Sequence, residues 1–473
     1  MIRPLLLLSF CAALAQAKPP NIILFLIDDM GWSDSSVYGS TFYETPSMER
    51  LAKQGMRFTA AYVQPLCSPT RATLLTGKDA PTHFQMHQAI TGKSAGQPTL
   101  PKQSRPDSPA NWPGSSSALP LEETTIAEQL RDAGYQTWHL GKWHLGNPAK
   151  FGPQHQGFQI VRGAAGAGPG RSYFGTEIPM LSPGPKEEYI TERLTAEACK
   201  LLEERDPAKP FFMHFAHFNV HSPYTAKPEL IAHFKKKADP KNQHHNPVMA
   251  AMLRSMDDSL GTLLDKLDQL NLSSETVFIF LSDNGGIHWK NRMPAGLPEM
   301  PPTSNAPLRG GKCCFYEGGI RVPMLVRWPG RTPAASTCDT PVHAADFFPT
   351  ARSIAGSASD NSILDGIDIT PLLEGKTIPA RPLYGHFPRA KTLANTVGGS
   401  WIREGDFKLI RLWFDGPDQT HTYELYQLKD DIGETKNLAS TMPDLVKQLA
   451  AKLDTWLGSR DALIPTPNPN YKP

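Results

Sequence analysis

A cysteine and an arginine four residues apart, Cys67-Ser-Pro-Thr-Arg71, open a short helical sequence that closes at Gly77. Ser68 is a good helix N-cap, Pro69 suits a first helical turn, and Gly77 suits a helix C-terminus. The spacing predicts a cysteine sulfur at a helix N-terminus, where free N–H groups and the helix dipole favour negative charge. Arg71, one turn on, can return its guanidinium to the same face. A small nucleophilic position, a positive helix end and a fixed cation suit an anionic, tetrahedral group. A buried cysteine or disulfide partner beside a capped helix has the same spacing, so the rest of the chain must decide.

Two acidic pairs follow apolar runs: Asp28-Asp29 after Asn21–Ile27, and Asp283-Asn284 after residues 276–281. Buried carboxylates without partners cost several kcal/mol each, and a divalent cation is their natural neutraliser. All-oxygen ligation suits calcium, or less well magnesium, rather than zinc or copper. Helix caps and solvated turns explain most such pairs taken singly, but two at strand ends beside Cys67 point to a metal site. Lys142 and His144 lie two apart in Gly141-Lys-Trp-His144, a spacing that puts both on one side of extended backbone. His221 lies beyond the strand Phe211–Ala216, where a proton donor would be needed, whereas His214 and His217 read as packing residues. Lys312 follows Gly310-Gly311, whose freedom lets the backbone carry it inward.

The elements that must position these residues alternate. Strands are expected at Asn21–Ile27, 57–63, 135–140, Phe211–Ala216 and 276–281, and helices at 46–53, 124–133, 189–204 and 247–270. Met252, Met256, Leu260, Leu263, Leu264 and Leu267 recur at core spacing in the long helix. This pattern implies an α/β fold, a large mostly parallel sheet flanked by helices. Ligands in such sheets bind beyond the carboxyl ends of the strands, where the acidic pairs sit. Loops at 91–120 and 288–307 are rich in Pro, Gly and polar residues and could rim a pocket, with His83, His87 and Trp289 nearby. After residue 375 the character changes: 400–412 and 422–428 read as antiparallel strands and 442–457 as a helix. Residues 18–375 are thus expected to form the main domain and 376–473 a smaller α+β domain with an antiparallel sheet, its tail 465–473 disordered.

The chain has 473 residues, 40% apolar and 20% charged, with net charge +2, which describes a soluble globular protein and gives no case for nucleic acid. Residues 1–17 carry Arg3, an apolar core and Ala15-Gln-Ala17, the pattern of a cleavable signal peptide. That core is too short to span a membrane, and periplasmic or secreted export is expected. Removing it leaves five cysteines, an odd number, so at least one is unpaired or modified.

Cys67-Ser-Pro-Thr-Arg71 with Leu75-Thr-Gly77 resembles the signature of the type I sulfatases of the alkaline phosphatase superfamily, and the chain looks arylsulfatase A-like. Gly141-Lys142-Trp-His144 resembles their second signature. Lys312 followed by Glu317-Gly-Gly-Ile-Arg321-Val-Pro323 is similar to a third stretch, and Trp401 to Leu409 and Glu424 to Leu428 are similar in the tail. The resemblance implies that a maturation enzyme oxidises Cys67 to formylglycine, whose hydrate is the nucleophile. It implies one calcium held by Asp28, Asp29, Asp283, Asn284 and the modified Cys67. Arg71 and Lys142 would hold the hydrate, and Lys142, His221 and Lys312 would bind the substrate's sulfate. Asp283 would act as base, His221, perhaps with Lys312, as acid, and His144 would take the proton from the second hydroxyl so that sulfate is expelled. The substrate implied is a sulfated carbohydrate. A phosphonate monoester or phosphodiester hydrolase using the same cysteine, and a non-catalytic sulfated-glycan-binding protein, compete with this reading.

Overall fold

Asn21–Ile27 is apolar after its first residue because both of its faces are covered. In the computed structural model, Ile23, Phe25 and Ile27 pack among helices Pro46–Gln54, Ile190–Glu204 and Pro247–Gln269. Ile22, Leu24 and Leu26 face the opposite layer, built from Cys67–Thr76, Ile126–Asp132 and Phe347–Ile354. The alternation is the period of two that a strand imposes. The structure describes residues 18–86, 99–100 and 106–472, except 167, 176, 295, 358–362, 390–393 and 395. The expected signal peptide, and His87, lie outside the described residues.

The main sheet has nine strands: β1 (Asn21–Ile27), β2 (Met56–Tyr62), β3 (Gln136–Lys142), β4 (Ile160–Ala165), β5 (Phe211–Ala216), β6 (Thr276–Ser282), β7 (Arg321–Arg327), β8 (Ser336–Cys338) and β9 (Val342–His343). Their order is β8-β2-β7-β6-β1-β5-β3-β4, with β9 also on β2. Every pairing is parallel except those of β7, which runs against β2 and β6. Leu26 is level with Ala216 and Leu281, and Ala216 with Gly141. That register brings the carboxyl ends of β6, β1, β5 and β3 to one edge, carrying Asp283, Asp28, His217 and Lys142. The parallel α/β architecture is as expected, and all six apolar residues cited in the long helix are buried.

A second sheet of four antiparallel strands follows: β10 (Leu383–Phe387), β11 (Gly399–Glu404), β12 (Phe407–Leu412) and β13 (Thr422–Gln427). The expected strand at 400–412 is two, because Glu404 pairs with Phe407 across a two-residue turn in which Gly405 has φ +58°. Helix Pro443–Gly458 buries Leu449, Leu453 and Leu457 on this sheet. The expectation of a disordered tail is wrong. Thr466–Pro467 pairs with Ala110–Asn111, and the Asn468 side chain, buried, donates to the Ser108 carbonyl oxygen (2.8 Å). Among the described residues no helix is long and apolar enough to cross a membrane.

Candidate active site

Cys67 is the first residue of its helix. Leu66, not Ser68, occupies the N-cap position, and Leu66 makes no side-chain cap bond. Ser68 is already helical, and its hydroxyl is used elsewhere: Oγ donates to the His144 carbonyl oxygen (2.9 Å). Gly77 ends the helix with φ +68°, the left-handed turn its glycine permits. Cys67 Sγ lies 3.2 Å from His144 Nδ1. It is also within 4.8 Å of a carboxylate oxygen of Asp28 and one of Asp283. Burial pushes this thiol up, with Lys142 and Lys312 opposing.

Each of three buried carboxylates meets one cation. Asp28 Oδ2 accepts from Lys142 Nζ (2.5 Å), and Asp29 Oδ1 from Lys312 Nζ (2.5 Å). Asp283 Oδ2 accepts from both Nε and Nη2 of Arg71 (2.9 and 2.7 Å). The electrostatics differ from one carboxylate to the next. Burial raises Asp28 in spite of Lys142. Burial opposes ionisation of Asp29 as well, but Lys312 and His221 outweigh it and hold that carboxyl well below the usual range. Asp283 is raised to about 6 by burial and by Asp28 beside it, with Arg71 pulling the other way.

Three oxygens are left over. Asp28 Oδ1, Asp29 Oδ2 and Asn284 Oδ1 are buried acceptors without a hydrogen-bond donor, while Asn284 Nδ2 donates to Asp29 Oδ1 (2.8 Å). Orphaned oxygens of this kind are costly unless a cation meets them. A hard divalent ion fits this donor set. The sequence-expected ligands Asp28, Asp29, Asp283, Asn284 and Cys67 are therefore brought together.

His221 and Lys312 both approach Asp29. His221 Nε2 is 3.8 Å from Asp29 Oδ2, and Nδ1 is 2.7 Å from the Ser222 carbonyl oxygen. A carbonyl only accepts, so Nδ1 carries the proton and Nε2 is protonated only in the imidazolium. Burial and then Lys142 push His221 down to about 3. A nearby anionic group would favour the imidazolium. Lys312 N–H donates to the Gly286 carbonyl oxygen (3.0 Å), and a Cβ on Gly311 would stand 2.3 Å from that same oxygen. The glycine is thus needed for close approach as well as for freedom. Asp29 and His144 have φ +64° and +59°, a left-handed conformation that non-glycine residues adopt rarely and that concentrates at functional sites.

His214 and His217 pack in the core, as expected. His83 does not reach the site, because Asp365 draws its Nε2 to 2.8 Å. Trp289 is half-buried against the hydrophobic cluster that includes Cys313 and Phe315, its ring edge-on to His288. Supporting residues that sequence reasoning missed are Asn219 and Tyr173, and Ser68 was read only as a cap. The Asn219 carbonyl oxygen accepts the N–H of Asp28 (2.9 Å), and Tyr173 Oη reaches the His221 carbonyl oxygen (2.8 Å). Their partners are 48 to 191 positions away in sequence, and no local pattern marks them.

A buried cysteine at a helix start, three carboxylate–cation pairs and a mostly parallel sheet with helices on both faces fit the resemblance to the type I sulfatases of the alkaline phosphatase superfamily. Sequence and structure comparisons agree. The family described as Sulfatase matches residues 20–357, and the one described as N-sulphoglucosamine sulphohydrolase, C-terminal, matches 311–458. N-acetylgalactosamine-6-sulfatase of Canis lupus familiaris is 31% identical over 91% of this chain and 84% of its own. Arylsulfatase A of Homo sapiens is 30% identical over 94% and 89%. The crystal structure of Ps i-CgsB in complex with k-i-k-neocarrahexaose superposes with a TM-score of 0.75 at 26% identity, covering 93% of each chain. The chain belongs to the sulfatase family, and its activity is that of a sulfuric ester hydrolase.

Proposed function

We propose that this protein is an exported sulfatase acting on sulfated carbohydrates, with residue 67 working as formylglycine beside one calcium ion. The observation that carries the reading is the meeting of Cys67 Sγ, His144 Nδ1 and the Asp28 and Asp283 carboxylates at one buried point. The names of the relatives support the substrate class, since one acts on N-acetylgalactosamine 6-sulfate groups and one was solved with a neocarrahexaose.

Asp28, Asp29, Asp283, Asn284 and residue 67 would hold the calcium, which when bound supplies positive charge for the sulfate oxygens. A formylglycine hydrate offers two hydroxyls, one to attack sulfur and one from which the covalent ester can be broken down. Asp283 is the proposed base for the first. His144 Nδ1, 3.2 Å from Cys67 Sγ, is the proposed acceptor of the proton from the second. Lys142, Lys312 and His221 face the sulfate oxygens, and His221 in its imidazolium form gives its Nε2 proton to the departing alcohol.

Mass analysis of residue 67 in protein matured with a formylglycine-generating enzyme tests the scheme, together with sulfate release from defined sulfated saccharides. Formylglycine at 67 and turnover lost in Cys67→Ala are expected; full activity with an intact thiol overturns it. Parallel rates on an aryl sulfate and an aryl phosphonate separate it from phosphonate hydrolysis. Saccharide binding without any turnover would mark a glycan-binding protein instead.

A further inference from the structure

Among the site residues, those that reach solvent lie on one side. The side chains of Arg71, Asp283, Lys142 and Asp28 are fully buried, whereas His221 is 18% and Lys312 8% exposed. Among the described residues, His221 and Lys312 are thus the exposed part of the site. A groove of about 390 Å³ is lined by Phe174, Thr225, Pro228, Ile231, Lys235 and Pro294 among others, Thr225 lying four residues beyond His221 in the chain. Its volume falls in the range of about 300–1,000 Å³ of small-ligand clefts.

Two walls of the groove are tied to the residues that hold His221. Tyr173, whose hydroxyl donates to the His221 carbonyl oxygen, immediately precedes Phe174 and donates its backbone N–H to Thr225 Oγ1 (3.0 Å). Tyr189 packs on the Phe174 ring and donates to the Thr225 carbonyl oxygen (3.0 Å). The groove is thus tied to His221 through part-buried hydrogen bonds of 2.8 to 3.0 Å. Its chemistry is mixed. Phe174, Pro228, Ile231 and Pro294 offer an apolar wall, and exposed Lys235, with Lys236 next to it, makes no ion pair among the described residues. An apolar wall with one uncompensated cation at its edge suits a sugar ring that carries a negative substituent.

We propose that this groove binds the sugar residue adjacent to the one that loses sulfate, its ring on Phe174 and Pro294 and its sulfate or carboxylate on Lys235. The proposal rests on the sulfated-carbohydrate reading and adds that the enzyme recognises an oligosaccharide, with a second anionic group as the specificity element.

Lys235→Glu and Phe174→Ala test it against three substrates: a small aryl sulfate, a chondroitin 6-sulfate hexasaccharide, whose neighbouring anion is a carboxylate, and a neocarrahexaose, whose neighbouring anion is a sulfate. Lys235→Glu should raise KM for at least one hexasaccharide by about five- to tenfold with kcat nearly unchanged, since one exposed charge pair is replaced by a repulsion. Phe174→Ala should act in the same direction, and the aryl sulfate should move less than twofold. The hexasaccharide that responds identifies the anion read. Equal effects on the aryl sulfate, or none on either hexasaccharide, overturn the proposal. Calorimetric binding of both hexasaccharides to Cys67→Ala, with and without Lys235→Glu, keeps the two readings apart. Affinity that depends on Lys235, with no sulfate release from the matured wild-type protein, would retain the groove and reject the catalytic reading. Binding of neither hexasaccharide overturns the groove.

Discussion

Arg71 places two nitrogens on one oxygen of Asp283, Nε at 2.9 Å and Nη2 at 2.7 Å, while Oδ1 of the same carboxylate accepts the Asp29 N–H at 3.1 Å. Both side chains are fully buried. Arg71 Nη1 also donates to the Lys142 carbonyl oxygen (3.1 Å), so one guanidinium ties the Cys67 helix to the ends of two strands. A lysine cannot reproduce this planar fork. Arg71→Lys should keep the fold but lower kcat/KM by about a hundredfold, the scale on which a misplaced charge-stabilising group costs activity. Arg71→Ala should in addition lose about 3–5 kcal/mol of stability in the calcium-free protein, because the buried Asp283 carboxylate loses its cation. Steady-state kinetics and denaturant unfolding of the two variants check this, and a Lys variant with full activity would contradict it.

Three carboxylates share this site, and Asp28 Oδ1, Asp29 Oδ2 and Asn284 Oδ1 lack donors. A bound divalent ion should therefore stabilise the folded state as well as the reaction. Dialysis against a chelator should lower Tm and abolish sulfate release, and calcium at a hundred times its dissociation constant should restore about 2.7 kcal/mol. Asn284→Ala should weaken the calcium-induced shift in Tm, which is readable without any turnover. A Tm indifferent to chelator and calcium would remove the metal from the scheme.

The site was legible in sequence to the extent that its residues follow apolar strands. Asp28, Asp283 and Lys142 end three strands of one register, so a parallel reading was enough to gather them. What sequence could not supply was the pairing of charges. Nothing in Gly-Gly-Lys312 says that its lysine meets Asp29, 283 positions away, rather than Asp28. The Ser68 cap reading failed for a related reason: the hydroxyl satisfies a carbonyl of another loop, and cap preference is only a local tendency. The tail was misread because its composition is that of a free end, whereas Asn468 earns its place through bonds to residues 108 and 109, far upstream.

Lys408 joins the two sheets electrostatically. Its Nζ bonds Glu317 Oε1 and Glu434 Oε1, each at 2.9 Å, and all three side chains are fully buried. Glu434 Oε2 accepts the N–H of Glu317 (2.7 Å), so the cluster fixes the start of the short helix before β7. Removing the cation leaves two carboxylates facing each other in the core. Lys408→Met should cost about 3–5 kcal/mol in denaturant unfolding. Lys408→Met combined with Glu434→Gln should recover part of that loss. If the single variant unfolds at the wild-type midpoint, the cluster contributes nothing to the join.

Asp79 gives a pH dependence whose sign is fixed by its surroundings. Burial raises its carboxyl to about 7, Asp365 adds to the rise, and the Gln64 amide, donating to Oδ2 at 2.8 Å, opposes it. The unfolded chain titrates this group from an ordinary value of 3.8. Between these two values the folded state holds the proton and the unfolded state has released it. Stability from this group is therefore complete below about pH 4 and is lost as pH rises through about 7. Asp79→Asn keeps the shape and removes the titration. The variant should accordingly gain on the wild type between pH 5 and pH 8, by up to about 2.7 kcal/mol, since only the stretch from pH 5 to about 7 contributes, at about 1.4 kcal/mol per pH unit. Denaturant unfolding of both proteins at the two pH values measures the difference, and other titrating groups cancel in the comparison. A variant-minus-wild-type difference that is the same at pH 5 and pH 8 would show that Asp79 is ionised in the fold throughout this range.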